Sequence, residues 1–203
     1  MRGGDAASIR AHLGAPLESQ SKLVRFIENH DEIRAQSAFG PERARAAAVF
    51  SALLPGASLF HEGQEQGHRV KLPVQLTRRP EEPGDTALAS YYRTLRRKAA
   101  QDVFRRGTFV LRRAAPVGGL AEHNALIAWS VQLGDERRLV VVNWSDRLAQ
   151  GRIALPDLGL LGRAFWLHDL SDGARYERHG DEMADPGLHV VLRPWGVHVL
   201  SFE

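Results

Sequence analysis

No cysteine occurs among the 203 residues, which excludes disulfide bonds and thiolate chemistry. The compartment therefore stays open, with the cytoplasm favoured. No run approaches the roughly 20 apolar residues of a membrane helix, and no apolar stretch near Met1 suggests a secretory signal. A formal net charge of +3 is too small to name a partner. The remaining composition, 43% hydrophobic and 25% charged, is typical of a soluble globular protein.

One short apolar run, residues 23–28, organises the first half of the chain. It ends in Asn29, His30 and Asp31, a pattern that fits a strand buried on both faces of a parallel sheet. The C-terminal ends of such strands are where ligands bind and chemistry occurs. The alternative is that these residues only turn the chain, because Asn and Asp are common in turns.

The segments that follow predict a repeat of the same geometry. A helix is expected to begin at Pro41 and to end at Pro55-Gly56, because proline suits a first helical turn and glycine a helix end. A second buried strand over 57–61 then runs into the polar segment 62–67. Strand, helix and strand in this order predict a parallel βαβ unit with both polar ends on one edge of the sheet.

The hydrophobic period changes from helical to alternating at about Gly107, after a helix predicted over 86–100. Residues 125–133 and 138–144 flank Gly134-Asp135, which predicts a β-hairpin. Further short strands with regular turn signals predict a small antiparallel β-sandwich. The expected domains are therefore residues 1–106, α/β in class, and residues 107–203, all-β.

Several motifs of this chain resemble those of the α-amylase superfamily of glycoside hydrolases. Phe26-Ile27-Glu28-Asn29-His30-Asp31 is similar to the F-x-x-N-H-D signature at the end of the seventh barrel strand of that family. Gly63-Gln64-Glu65-Gln66-Gly67 resembles the region around strand eight, although His61 stands where the family has tyrosine. Val140-Val141-Val142-Asn143-Trp144-Ser145 resembles a strand of the family's C-terminal domain. The resemblance implies that residues 1–106 are the last part of a (β/α)8 barrel, strands seven and eight with their helices, before a C-terminal β-sandwich.

The resemblance also implies roles at the first strand end. Asp31 would be the acidic residue that stabilises the oxocarbenium-like transition state, and His30 would hydrogen-bond the same sugar. Asn29 would lie at this substrate site either as a ligand contact or as a hydrogen-bond partner of the strand-end backbone. Hydrogen bonds to sugar hydroxyls that tighten in the transition state supply several kcal/mol. The implied ligand is an α-glucan or an oligosaccharide.

A complete set of catalytic groups is missing from this pattern. A full barrel takes about 250 residues, and fewer than half that number precede the predicted sandwich. Retaining glycosidases need a nucleophile and an acid roughly 5–5.5 Å apart, and nothing before Leu23 resembles the family's motifs for them. We therefore expect a C-terminal fragment of an α-glucan-active hydrolase or transglycosidase, inactive by itself. Its partner would be the missing N-terminal part of the barrel or a second copy of the chain. The alternative is a non-catalytic carbohydrate-binding or structural module.

Three other features are interpreted as ordinary structure. His61, Glu62 and His68 lack the spacing of a helical zinc motif, so no metal and no cofactor are expected. Arginines crowd between positions 93 and 113, and we interpret them as the solvent face of a helix rather than a nucleic-acid site. The four tryptophans, at positions 129, 144, 166 and 195, fall in the predicted sandwich. They are either core residues or platforms that stack on sugars.

Overall fold

The computed structural model describes residues 4–73, 75, 78–119 and 121–203. These residues form two compact units: one is Pro16–Arg105, and the other joins Gly4–Ala15 to Arg106–Glu203. Within the described ranges, no helix combines the length and the apolar character needed to cross a membrane.

Helices and strands are numbered here in chain order. The helices are α1 (Ala6–Leu13), α2 (Leu17–Ser21), α3 (Ala35–Phe39), α4 (Pro41–Leu53), α5 (Thr86–Ala99), α6 (Asp102–Arg106) and α7 (Gly180–Glu182). The strands are β1 (Val24–Arg25), β2 (Ala57–Ser58), β3 (Thr108–Arg112), β4 (Ala114–Ala115), β5 (Leu126–Leu133), β6 (Glu136–Asn143), β7 (Ala149–Ile153), β8 (Ala164–Asp169), β9 (Arg175–His179), β10 (Leu188–Leu192) and β11 (Val197–Phe202).

The first unit contains a parallel βαβ arrangement. β1 and β2 pair in parallel, with Val24 opposite Ala57 and Arg25 opposite Ser58, and the chain between them includes α4. The parallel pairing predicted from the sequence is therefore confirmed. Each strand is only two residues long, shorter than the predicted 23–28 and 57–61. Among the described residues of this unit the sheet has two strands, and a two-stranded sheet offers few interstrand hydrogen bonds to support longer strands.

Burial along the two short strands is the reverse of that expected for a free-standing sheet. Val24, Phe26 and Leu59 are 57%, 40% and 38% exposed, and the alternation of side chains places them on one face. Arg25, on the opposite face, is 5% exposed, and its Nε donates to the carbonyl of Pro55 at 2.7 Å. The prediction that these strands are buried on both faces is therefore wrong. On the opposite face Arg25 and Ile27 are buried, whereas Ser58 is exposed.

Two longer helices supply most of the core of the first unit. α4 is alanine-rich and buried almost all round, because its small side chains let neighbouring segments approach closely. Asp85 caps the N-terminus of α5, because its carboxylate accepts from the Leu88 backbone N–H at 2.9 Å. The buried stripe of α5 is Leu88, Tyr92 and Leu95, and the helix matches the predicted helix over 86–100.

The second unit is built from two antiparallel sheets. The larger has strand order β3-β5-β6-β11-β8-β9, and the smaller has order β10-β7-β4. The predicted hairpin is confirmed, since β5 pairs with β6 across a turn where Gly134 has φ +56°. Buried residues from both sheets, among them Leu139, Ile153, Leu167 and Val190, belong to one hydrophobic core.

A buried carboxylate joins three segments of the larger sheet. Asp169, at the end of β8, is 0% exposed. Its oxygens accept from the Ser171 backbone and hydroxyl at 2.8 and 2.7 Å, from the Val199 backbone at 3.1 Å, and from His198 Nδ1. Burial raises the pKa of Asp169, but the hydrogen bonds from His198 and Ser171 outweigh it and leave the pKa below its ordinary value.

Residues 4–15 lie with the second unit, whereas the domain predicted from the sequence covers residues 1–106. Arg10 Nη1 donates to the backbone carbonyls of Asn124 and Leu126 at 2.6 and 3.1 Å. Trp144 Nε1 donates to the carbonyl of Gly4 at 3.0 Å. These bonds to backbone acceptors explain why α1 packs with the strands rather than with the helices that follow it.

Candidate functional site

The turn after β1 is built around the side chain of Asn29. Its Oδ1 accepts from the backbone N–H groups of Asp31 and Glu32, both at 2.9 Å. Asn29 is therefore a hydrogen-bond partner of the strand-end backbone. The turn presents His30 and Asp31 to solvent, with side chains 60% and 76% exposed and His30 Nε2 3.2 Å from Asp31 Oδ2. Both groups are open to a ligand.

The loop after β2 is held by a buried glutamine. Gln64 is 2% exposed, and its Oε1 accepts from the His61 backbone N–H at 3.2 Å. Its Nε2 donates to the Tyr92 hydroxyl on α5 at 3.2 Å. Burial raises the pKa of Tyr92 to about 12, so this hydroxyl stays protonated at neutral pH. The second loop is thus anchored to the core of its unit.

A buried ion pair connects the two strand-end loops, and we call it the Glu28–Arg34 clamp. Arg34 Nη1 lies 3.1 Å from Glu28 Oε1, and the two side chains are 6% and 1% exposed. Glu28 Oε2 also accepts from the backbone N–H of Ala35, the first residue of α3. Arg34 Nη2 reaches across to the second loop and donates to the carbonyl of Glu62 at 2.7 Å. The clamp therefore fixes the distance between the two loops.

Gly63 is required by this clamp for two reasons. A Cβ atom at this position would lie 2.2 Å from His68 Nδ1 and 2.4 Å from Arg34 Nη2, closer than real Cβ contacts. The backbone also has φ +80°, which side chains larger than hydrogen disfavour. The second loop can approach Arg34 only because residue 63 lacks a side chain.

The charged groups of the site respond to burial and to one another. Burial raises the pKa of Glu28, opposed by the Ala35 N–H and by Arg34. Burial and the Arg34 charge lower the pKa of His61. A hydrogen bond from Arg79 lowers the pKa of Glu62. The second loop therefore favours the neutral form of an imidazole and the charged form of the carboxyl group beside it.

Two cavities lie along the strand-end loops. A small cavity of about 30 Å³ is lined by both strand ends, including Asn29 and His30 from the first and His61 and Glu62 from the second. Beside it, along the second loop, lies an open cavity of about 550 Å³. The expectation that both polar ends meet at one edge of the sheet is confirmed. Across the described ranges, no group of three or more His, Asp or Glu side chains is placed to hold a metal ion.

Sequence reasoning missed the clamp residues. Glu28 occupies a variable position in the F-x-x-N-H-D pattern, and Arg34 lies in a segment predicted as loop. Charged residues are usually exposed, so nothing in the pattern indicates a buried pair. The one sequence signal for this loop is the pair of glycines at positions 63 and 67. Glycine is favoured where φ is positive, as it is at both positions, and where the backbone approaches its neighbours closely.

Comparisons with known proteins place this geometry in context. No protein-family model matches the chain. Over 73 residues, 33% of this chain and 11% of the relative, the sequence is 42% identical to the α-amylase MalA of Haloarcula japonica. Solved structures match over most of the chain. A maltogenic α-amylase, AmyB, from Thermotoga neapolitana has a TM-score of 0.71 at 18% identity and covers 88% of this chain and 41% of its own. A cyclic α-maltosyl-(1→6)-maltose hydrolase from Arthrobacter globiformis has a TM-score of 0.63 at 22% identity, and the match covers 99% of this chain and 41% of the hydrolase.

The fold of the chain is that of part of an α-amylase-type glycoside hydrolase. The chain spans about two-fifths of the length of these solved structures, 41% in both cases. The partial sequence match and the shared fold support a relationship to the α-amylase superfamily, the family that the strand-end motif resembles.

Proposed function

We propose that this chain supplies the last two strands and the C-terminal β-sandwich of an α-amylase-type enzyme that hydrolyses or transfers α-glucans. Strands seven and eight of the (β/α)8 barrel are β1 and β2. The nucleophile and the acid/base come from the remainder of the barrel. The observation that carries the proposal is the meeting of both polar strand ends at one edge of a parallel pair, with Asp31 and His30 exposed there.

The exposed apolar face of the parallel pair supports an incomplete barrel. Val24, Phe26 and Leu59 lie in water while Arg25 is covered, an arrangement that a free-standing sheet would not favour. Barrel strands carry side chains that pack into the barrel interior, and that environment would cover these three. The occupant of the face is accordingly the set of strands that precedes β1 in such barrels. Self-association of the chain is the competing way to cover it.

Asp31 would act by charge rather than by proton transfer. An oxocarbenium-like transition state develops positive charge at the sugar, and a carboxylate hydrogen-bonded to sugar hydroxyls stabilises that charge. His30 lies beside Asp31 and donates to the same sugar. Asn29 fixes the turn that carries both. This division of roles needs two further carboxylates roughly 5–5.5 Å apart, which the rest of the barrel provides.

Reconstitution tests this proposal. The purified chain should not hydrolyse maltooligosaccharides. Mixing it with a polypeptide that carries the first six strands of an α-amylase barrel should give activity, and Asp31→Asn should abolish that activity without weakening the complex. Glu32→Gln, one residue further along the same turn, is the matched control and should retain activity. Hydrolysis by the chain alone would contradict the proposal, as would an active mixture that contains Asp31→Asn.

The alternative, a non-catalytic carbohydrate-binding module, predicts binding of glucan without activity in any mixture. The same experiment separates the two, because a binding module does not depend on Asp31.

A further inference from the structure

The four tryptophans of the second unit differ in exposure. Trp129 and Trp144 are buried, at 0% and 5% exposure. Trp195 packs edge-on against Trp144, with ring centroids 5.2 Å apart. Trp166 is 49% exposed. Of the two alternatives that the sequence leaves open, Trp129 and Trp144 are core residues, whereas Trp166 is exposed as a platform would be.

The outward position of Trp166 follows from the alternation along β8. Phe165 and Leu167 are buried in the core, so Trp166 lies on the opposite face of the sheet. Both neighbouring strands place a glutamate directly beside it. Glu177 on β9 is its register partner. Glu203, which follows β11, exchanges backbone hydrogen bonds with Trp166 at 3.0 and 2.9 Å.

Hydrogen-bond donors lie in the next row of the same face. His168 is two residues along β8 from Trp166 and pairs with Arg175 on β9 and with Ser201 on β11. His168 Nδ1 lies 3.7 Å from Glu203 Oε1. The face thus presents one indole, flanked by two carboxylates, with an imidazole and a guanidinium adjacent.

We infer that this face, defined by Trp166, Glu177 and Glu203, is a second glucan-binding surface, separate in its residues from the strand-end site. A pyranose has an apolar face of C–H groups and a rim of hydroxyls. The apolar face stacks on the exposed indole, which offers a large rigid surface. Neighbouring strands lie about 4.8 Å apart, so a glutamate on either side of Trp166 is placed to accept from the hydroxyl rim. The choice of α-glucan as ligand rests on the proposed function.

The charges of this face favour a neutral polyol over other ligands. The two carboxylates beside the indole outnumber the guanidinium of Arg175 in the next row, which disfavours phosphates and nucleic acid next to the indole. Protein interfaces are depleted in charged residues at their cores, where Glu177 and Glu203 would have to lie if Trp166 were an interface anchor. Both carboxylates are exposed in the free chain, so they exchange hydrogen bonds with water for hydrogen bonds with sugar hydroxyls at little cost in free energy.

Affinity electrophoresis tests this inference with the full chain. In native gels, soluble starch should retard the wild-type chain relative to gels without it. Trp166→Ala should raise the apparent dissociation constant about tenfold or more, and Glu177→Gln should raise it less. Leu161→Ala removes a side chain that is 65% exposed in the loop before β8, and it should migrate as wild type. Far-UV circular dichroism checks that each variant is folded.

Asp31→Asn separates this inference from the proposed function. It should keep the starch-dependent retardation, because the Trp166 surface does not include Asp31. A wild-type chain that starch does not retard would overturn the inference, and so would Trp166→Ala retarded as strongly as wild type. Concentration-dependent dimers that Trp166→Ala dissolves would assign the face to protein contact and overturn it equally.

Discussion

Replacing Arg34 with methionine should destabilise the first unit in a pH-dependent way. The substitution leaves the Glu28 carboxylate buried without its cation, and removing one partner of a buried pair typically costs about 3–5 kcal/mol. Glu28 limits this loss by taking up a proton. Protonating a carboxyl of ordinary pKa 4.5 costs about 1.4 kcal/mol per pH unit above that value, or about 3.4 kcal/mol at pH 7 and below about 1 kcal/mol at pH 5.

The sign of the pH dependence follows from the direction of the pKa shift. The pKa of Glu28 is raised in the folded wild type, and losing Arg34 raises it further. A carboxyl with a raised folded pKa binds more protons in the folded state than in the unfolded state, so stability falls as pH rises through that window. The difference between Arg34→Met and wild type should therefore be large at pH 7 and small at pH 5.

Urea unfolding followed by two probes measures this effect. All four tryptophans lie in the second unit, so their fluorescence reports that unit, whereas far-UV circular dichroism also follows α4 and α5. The matched control is Arg79→Met. Its pair with Glu62 is 49% and 71% exposed, and such surface pairs contribute less than about 1 kcal/mol. Equal stability of the two variants at pH 7, or a loss that does not depend on pH, would refute the account of the clamp.

Three further predictions concern other parts of the chain. Gly63→Ala should cost about 2 kcal/mol or more in urea unfolding, whereas Gly40→Ala, at φ +75° with nothing within 4 Å of the new Cβ, should cost about 1 kcal/mol; equal losses would contradict the steric reading. Asp169→Asn should destabilise the second unit by about 3 kcal/mol at pH 7. Because the folded pKa of this residue is lowered, the wild type should lose that stability only as pH falls below about 4. Tryptophan fluorescence measures the unfolding free energy at pH 7 and the midpoint of acid unfolding, and an acid midpoint that is the same in the variant and the wild type would contradict this prediction. The double substitution Val24→Ser and Phe26→Ser should leave the unfolding free energy within about 0.5 kcal/mol of wild type, since both side chains are exposed. It should nevertheless weaken self-association and barrel reconstitution, both measured by sedimentation velocity. Unchanged association would show that this face is not the association surface.

The parallel pairing of β1 and β2 could be predicted because two apolar runs, separated by a helix and each ending in polar residues, have few other arrangements. The exposure of the side chains on these strands could not be predicted. A sequence such as Val24-Arg25-Phe26-Ile27 indicates a buried strand, and the pattern does not say whether the covering segments belong to the same chain. Whether Val24 and Phe26 are covered depends on segments outside this run, so their burial cannot be inferred from these residues alone.

The candidate residues at the first strand end could be singled out from the sequence, whereas the residues that hold the two loops together could not. Asn29, His30 and Asp31 were identified from a local motif, and the hydrogen bonds of Asn29 are local as well, within three residues. Arg34 of the clamp instead bonds to the second loop at Glu62, 28 positions away, through a single backbone carbonyl. Long-range contacts of this kind leave no periodic pattern in the sequence. For the same reason the sequence did not indicate that α1 packs with the second unit, since Arg10 bonds to backbone at positions 124 and 126.

The most direct test of the central claim is the rate of maltooligosaccharide hydrolysis by the chain mixed with the first six strands of an α-amylase barrel, divided by the rate of the chain alone. We predict no measurable hydrolysis by the chain alone and clear activity in the mixture, lost again with Asp31→Asn. Equal rates with and without the added strands, in a mixture shown to form a complex, would contradict the claim that this chain completes a glucan-cleaving barrel.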